Sequence, residues 1–198
     1  MPAELPVVLI NSTSPMDHPS VLPAEYEAGQ TVARVLLEAG HRDIALIGYS
    51  PELAAHPRNS VTIQDRYDGI LGALAEYGVT PCWTYDSFVW EPQVGYEAMQ
   101  QLLAADVRPT GLITLNDRLA FGAYQALAEH NLRVPDDLSI ASFDDDVIAS
   151  YLRPGLTTAA IPYEEMGRRA MAMLLGEGSP EHLLIPMPLR LRDSVRPL

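Results

Sequence analysis

Three consecutive carboxylates, Asp144-Asp145-Asp146, end an apolar run from Leu138 to Phe143. Acids clustered at the tip of a buried strand can hold a divalent cation, serve a phosphorylation pocket, bind ligand hydroxyls or cap a helix. A phosphoacceptor pocket also uses a Lys to hold the phosphate, and this chain has none: all 13 of its bases are Arg. The same absence excludes a P-loop and a Schiff-base enzyme. A Mg²⁺ site, which uses one or two carboxylates with substrate phosphates, stays open at this point. An ionised carboxylate accepts hydrogen bonds and never donates, so one can take two ligand O–H groups. That role suits Asp144, the first of the three. The structural alternative is that Asp145 or Asp146 caps the helical turn that follows, where free N–H groups want an acceptor.

Other residues at comparable places could also do chemistry. Asn116-Asp117 joins the apolar Gly111–Leu115 run to a helical pattern. Asp117 is the natural N-cap there, and Asn116 offers one donor and one acceptor that suit a sugar or nucleoside edge. Arg66, early in a helix, is either a solvated surface group or a rigid fork of donors holding ligand oxygens. Trp90 is either core or a platform for a sugar or base face. Gly48-Tyr-Ser-Pro-Glu52 misses the nucleophile elbow G-x-S-x-G by its last residue and has no immediate helix behind it. No G-x-G-x-x-G follows a strand, and the five His residues lack metal-ligand spacing. No cofactor, metal or enzymatic activity is expected.

The elements that must position these residues alternate. Tyr26, Gly29, Val32, Ala33, Leu36 and Leu37 share one helical face, and Gly40 stands where a C-terminal cap would be. Ile44–Ile47 is a short continuous apolar run, as in strands buried on both faces of a parallel sheet. Further helices are predicted around Tyr67–Leu74, Tyr96–Leu103 and Leu119–Leu127, and further strands at 82–85, 111–115 and 138–143. Strands alternating with helices imply βαβ units. Right-handed crossovers put the strand C-termini on one edge, where open α/β sheets bind ligands. Asn116, Asp144 and the loop after Ile47 all fall on that edge. The flanks fit a second lobe, entered at Val7–Ile10 and re-entered after Pro162 by a helix and the runs 183–185 and 189–195.

The bulk composition narrows the partners. Of 198 residues, 47% are hydrophobic and 20% charged, as in an ordinary globular protein, and the net charge is −13. Arg168-Arg169 and the scattered Arg190, Arg192 and Arg196 make no basic patch, so this chain alone should not bind the DNA polyanion. One Cys rules out an internal disulfide, Met1-Pro-Ala-Glu4 lacks a basic leader, and no run is long enough for a membrane span. A cytoplasmic location is expected.

Four segments together resemble the lactose-repressor and galactose-repressor (LacI/GalR) family of bacterial transcriptional regulators. They are LLEAGHRDIALIG (36–48), DRYDGILGAL (65–74), LITLNDRLAFGAYQALAEHNLRVPDDLSIASFDD (112–145) and PGLTTAAIPYEEMGRRAMAMLL (154–175). The ordered set is specific and covers roughly residues 5 to 195. The resemblance implies an α/β, type I periplasmic-binding-protein-like fold, with one complete parallel-sheet lobe over residues 25–155 and a remnant of the other in 1–24 and 156–198 with the crossovers. It implies that Arg66, Asn116 and Asp144 hold the effector, that Trp90 stacks on it, and that Asn11, with Thr62 as a weaker match, adds polar contacts. Where some members carry a polar residue soon after Leu-Thr-Thr, this chain has Ala160-Ile161. On this reading Asp145 caps or braces and Asp146 is solvated. The function implied is sensing of a small effector, a sugar or a nucleoside or purine. DNA would be contacted only through a helix-turn-helix that this sequence does not include, and a homodimer is compatible with the family. The open remnant lobe should favour association. A periplasmic-type solute-binding protein is the alternative, since it shares the fold. An enzyme of flavodoxin-like fold using Mg²⁺ is disfavoured by the absence of a Lys and of a phosphate loop.

Overall fold

Short apolar runs separated by amphipathic helices build two parallel sheets of unequal size. The computed structural model describes residues 6–13, 18–49, 61–176 and 182–198, the side chains of residues 61 and 62 excepted. In chain order the elements are β1 (Leu9–Ile10), β2 (Ser20–Pro23), α1 (Glu25–Glu38), β3 (Ile44–Tyr49), α2 (Val61–Glu76), β4 (Trp83–Asp86), α3 (Pro92–Ala104), β5 (Gly111–Thr114), α4 (Asp117–Glu129), β6 (Ser139–Asp144), α5 (Val147–Tyr151), β7 (Thr157–Ala160), α6 (Tyr163–Leu174), β8 (Leu183–Ile185) and β9 (Leu189–Arg190).

The larger sheet has six strands in the order β4-β3-β5-β6-β7-β9. All its pairings are parallel except β7 with β9. The continuous apolar run of β3 is buried along Ile44–Ile47, as expected for a strand covered on both faces. α1 packs with α2, and α3 with α4. Two glycines bring α1 and α2 unusually close. A Cβ at Gly29 would lie 2.2 Å from the Arg66 carbonyl oxygen, and one at Gly69 would lie 2.0 Å from that of Tyr26. Only a residue without a side chain permits this approach. It sets Arg66 against the first turn of α1.

The smaller sheet has three parallel strands in the order β1-β2-β8. α6 covers it through Met166 and Ala170, which pack with Val21 and Ile185. The segment 156–198 therefore divides: β7 and β9 pair into the larger sheet, while α6 and β8 build the smaller. β2 escaped the sequence reading because Ser-Val-Leu-Pro sits in a Pro- and Ser-containing stretch and its partner β8 lies far along the chain. Of the run 189–195 only Leu189–Arg190 pairs as strand. The rest is tied down by isolated backbone bonds, such as the Ile140 amide donating to the Ser194 carbonyl at 2.8 Å, and by side chains. The Ser194 hydroxyl donates to the Ile140 carbonyl at 2.6 Å and accepts from the Thr157 amide at 2.8 Å.

Candidate functional site

The chain turns sharply where β6 ends. Asp144 and Asp145 have φ of 103° and 54°, in the left-handed region where short polar side chains are the usual non-glycine occupants. Successive side chains consequently leave in different directions, and the three carboxylates have three separate partners. Asp144 faces Arg66, with Nη2 donating to Oδ1 at 3.2 Å. Asp145 accepts from Arg192 Nη2 at 2.6 Å and lies 3.6 Å from Arg190 Nε. Asp146 caps α5, its Oδ1 accepting from the Ile148 amide at 3.1 Å. Asp145 braces the chain, one of the two parts expected of it, and the expectation for Asp146 is corrected: it is the cap rather than a solvated group.

The cap expected of Asp117 is made by its neighbour instead. Asn116 is the N-cap of α4, with Oδ1 accepting from the Leu119 amide at 2.9 Å. Its Nδ2 donates to the Trp90 carbonyl at 3.2 Å. Each end of the amide thus already holds a protein partner. Asp117, 1% exposed, turns inward. It accepts from the Thr158 hydroxyl and from the Asp146 amide, each at 2.8 Å. Burial drives its pKa up to about 7 against the pull of its hydrogen bonds from Thr158, and the nearby Asp144 charge adds to the rise. Asp117 therefore ties α4 to β7 and to the turn that carries the acid cluster.

Arg66 is buried, at 3% exposure, and is not a surface residue. Glu25, in the first turn of α1, grips it in a fork: Nε donates to Oε2 at 2.6 Å and Nη2 to Oε1 at 2.7 Å. Nη1 donates to the Leu115 carbonyl. The guanidinium lies over the Phe143 ring at 4.5 Å and near the Trp90 ring at 5.7 Å. Burial raises the Glu25 carboxyl while the Arg66 charge opposes the rise, and the same two influences act on Asp144. The short, doubly bonded contact keeps the pair ionised, because neutralising either partner would leave the other charge buried. Nothing in the sequence pointed to Glu25. Only the close approach of α1 and α2 turns an acid at a helix start into a partner for Arg66.

Trp90, half-buried, donates its indole N–H to the Gly48 carbonyl at 2.7 Å. Arg66, Asp144, Trp90 and Asn116 therefore form one contiguous group at the C-terminal edge of the larger sheet. Asn11 is elsewhere, in the smaller sheet just past β1, with its backbone N–H donating to Val21 at 2.9 Å. Thr62 lies outside the described side chains.

A cavity of about 670 Å³ opens between this edge and the start of α6. That volume is within the roughly 300–1,000 Å³ usual for small-molecule sites. Among the described side chains of the residues expected to bind, Asp144 alone lines it, beside Asp145, Asp146 and the exposed Tyr163. Arg66 bonds to Asp144, Trp90 lies beside Arg66 and Asn116 bonds to Trp90, and none of the three lines the cavity. Tyr163 was missed in the sequence because it follows Pro162 as an ordinary helix-start residue. Among the described residues no group of three or more His, Cys, Asp or Glu side chains could hold a metal, and no helix is long and apolar enough to cross a membrane.

Residues 33–195 match the periplasmic binding protein-like domain family. The chain is 33% identical over 200 residues to the HTH-type transcriptional repressor PurR of Pasteurella multocida, covering 97% of this chain and 58% of that protein. It is 41% identical over 158 residues to PurR of Erwinia tasmaniensis, covering 79% of this chain and 44% of the relative. The chain thus spans about half the length of the curated relatives it matches. Among solved structures, a LacI family transcriptional regulator from Enterococcus faecium with bound ribose superposes with a TM-score of 0.83 at 28% identity, covering 98% of this chain and 71% of that one.

Proposed function

This chain belongs to the periplasmic binding protein-like family as a LacI/GalR effector-binding region, and from that membership we propose that it senses a small effector, a sugar first and a nucleoside or purine second, for a bacterial transcriptional regulator of the cytoplasm. The observation that carries the reading is the placement of Asp144. It stands at the C-terminal edge of a parallel sheet, in the wall of a cavity of small-molecule size, held by a buried Arg66. Ligands of open α/β sheets bind beyond that edge.

The residues have distinct parts. Asp144 accepts ligand hydroxyls. Arg66 and Trp90 hold Asp144 and its surroundings in place, and Asn116 fixes the α4 start against the Trp90 loop. Tyr163 offers an aromatic face from the other wall. A ligand that touches both the larger sheet edge and α6 favours the arrangement in which the two approach, and such differential binding is what shifts a two-state regulator. DNA contact belongs to a helix-turn-helix outside this sequence, and a homodimer is compatible with the reading.

Thermal unfolding against a panel of sugars, nucleosides and purines tests this. A ligand present at 100 times its Kd stabilises the fold by about 2.7 kcal/mol. A saturable shift with one compound, abolished in Asp144→Ala, is expected. Uniform indifference to the whole panel, or a shift untouched by Asp144→Ala, would sink the assignment.

A further inference from the structure

We propose that the larger sheet carries a second ligand site, at the edge opposite the acid cluster, for an aliphatic monocarboxylate of medium chain length. The chain lies in a groove between the ends of α3 and α4, and the carboxylate sits on the Nε–Nη2 side of Arg108. The site shares no residue with the sensor reading above and stands or falls apart from it.

The groove encloses about 510 Å³ and lies where β5 and β6 begin. That volume suits a small molecule. Leu138, in its lining, precedes β6, and Asp144 ends that strand, so the two are about 20 Å apart along the sheet. Leu102, Leu127 and Leu138 in the lining are each at most 4% exposed, while Leu103, Val107 and Leu132 are half-buried. No aromatic ring lines the groove among the described residues. It therefore offers a ligand aliphatic contact rather than a stacking face.

Four polar side chains complete the lining: Arg108, Thr110, His130 and Asp137. Three of them are engaged. Thr110 Oγ1 lies 3.0 Å from His41 Nδ1, and His130 Nε2 lies 2.8 Å from Gln100 Oε1. Asp137 Oδ2 accepts from the Arg133 amide at 2.8 Å. Arg108 differs. Its Nη1 donates to the Ala105 and Val107 carbonyls, each at 2.7 Å, which occupies that nitrogen and holds the guanidinium in place. It forms no ion pair among the described residues. Its Nε and Nη2 keep their N–H donors, and two donors side by side are what a guanidinium uses to hold a carboxylate in a fork. Arg66 shows that geometry within this chain, with Nε on one Glu25 oxygen at 2.6 Å and Nη2 on the other at 2.7 Å. A group anchored beforehand loses less freedom when a ligand arrives. Arg108 is the one arginine in the lining and Asp137 is an acid, so a single negative charge is matched and a dianion is not.

Calorimetric titration of octanoate, at constant ionic strength and below its micellar concentration, tests the site in wild type, Arg108→Gln and Arg108→Lys. Two further probes each keep one half of the ligand: 1-octanol keeps the chain, and butanoate keeps the carboxylate. Octanoate should saturate one site on wild type. Arg108→Gln should weaken it at least tenfold, and Arg108→Lys, which keeps the charge without the fork, at least threefold. Butanoate and 1-octanol should each bind wild type at least tenfold more weakly than octanoate. Absence of saturable octanoate binding overturns the proposal. So does unchanged affinity in either Arg108 variant, or a short acid or an alcohol that binds as well as octanoate. Arg108 is exposed, and circular dichroism checks that its variants fold. If Arg108→Gln does not fold, Arg108→Lys and the two partial probes decide.

Discussion

The two sheets obey the same rules and end in different conditions. In the larger, helices cover both faces, and Ile47, Leu112, Ile113 and Phe143 are each fully buried. In the smaller, Val21, Met166, Ala170 and Ile185 form the core, while Leu184 is 55% and Met171 56% exposed. The cavity lies between them, so one wall is backed by a deep core and the other by a single helix layer. On the proposed reading, recognition by a fixed group belongs on the first wall, where Asp144 is held by the buried Arg66. The second wall contributes Tyr163, on an element with few buried contacts, and elements of that kind open at lower free energy.

Breaking the first wall should have the largest effect. Arg66→Met leaves Glu25 and Asp144 facing each other without a cation, and the loss of a buried partner of this kind costs about 3–5 kcal/mol. Urea unfolding would measure it, and a loss below about 1 kcal/mol, the value for exposed pairs, would mean the pair is not buried in solution.

Asp117 sharpens the comparison through pH. Its folded pKa of about 7 lies above the ordinary carboxylate value of 3.8. Below both values the group is protonated in both states and its contribution is fully present. As pH rises toward 7 the unfolded chain releases the proton first, so stability falls, at up to about 1.4 kcal/mol per pH unit. Asp117→Asn should flatten that fall between about pH 4 and pH 7 in a series of urea titrations. An unchanged slope would contradict the buried, raised carboxyl.

Asn116→Ala removes the cap of α4 and should cost about 1 kcal/mol, again by urea unfolding, with ligand affinity reduced through the Trp90 loop. The smallest effect belongs to the second wall: Leu184→Ser, on an exposed face of the small sheet, should stay within about 0.5 kcal/mol of wild type. A larger loss, or one that depends on protein concentration, would show that this face is covered by a second copy in solution.

Much of the framework was legible before any coordinates. Continuous apolar runs such as Ile44–Ile47 and Leu138–Phe143 specify doubly covered strands, and the helical spacing between them specifies the crossovers, because burial periodicity is local in the sequence. That logic put Asn116 and Asp144 at one edge, while Arg66 and Trp90 joined them only through the family resemblance. It failed where structure depends on distant partners. β2 is a strand because of β8, and the tail 191–198 is held by scattered backbone and side-chain bonds to distant segments rather than by its own pattern. It also failed at the caps. Asn116 and Asp117 are adjacent, equally good cap formers, and burial rather than propensity chose between them.

The sequence by itself determined the fold class, the parallel sheet edge and the acids that stand on it, because these follow from periodicity and from strand-tip placement. Tertiary structure alone decided what each acid does. Asp144 faces the cavity, Asp145 braces, Asp146 caps and Asp117 is buried, since one backbone turn with positive φ sends neighbouring side chains to different partners. It alone decided that Arg66 is gripped by Glu25. Two helices meeting through Gly29 and Gly69 bring together charges that lie 41 residues apart, and no local pattern encodes that distance.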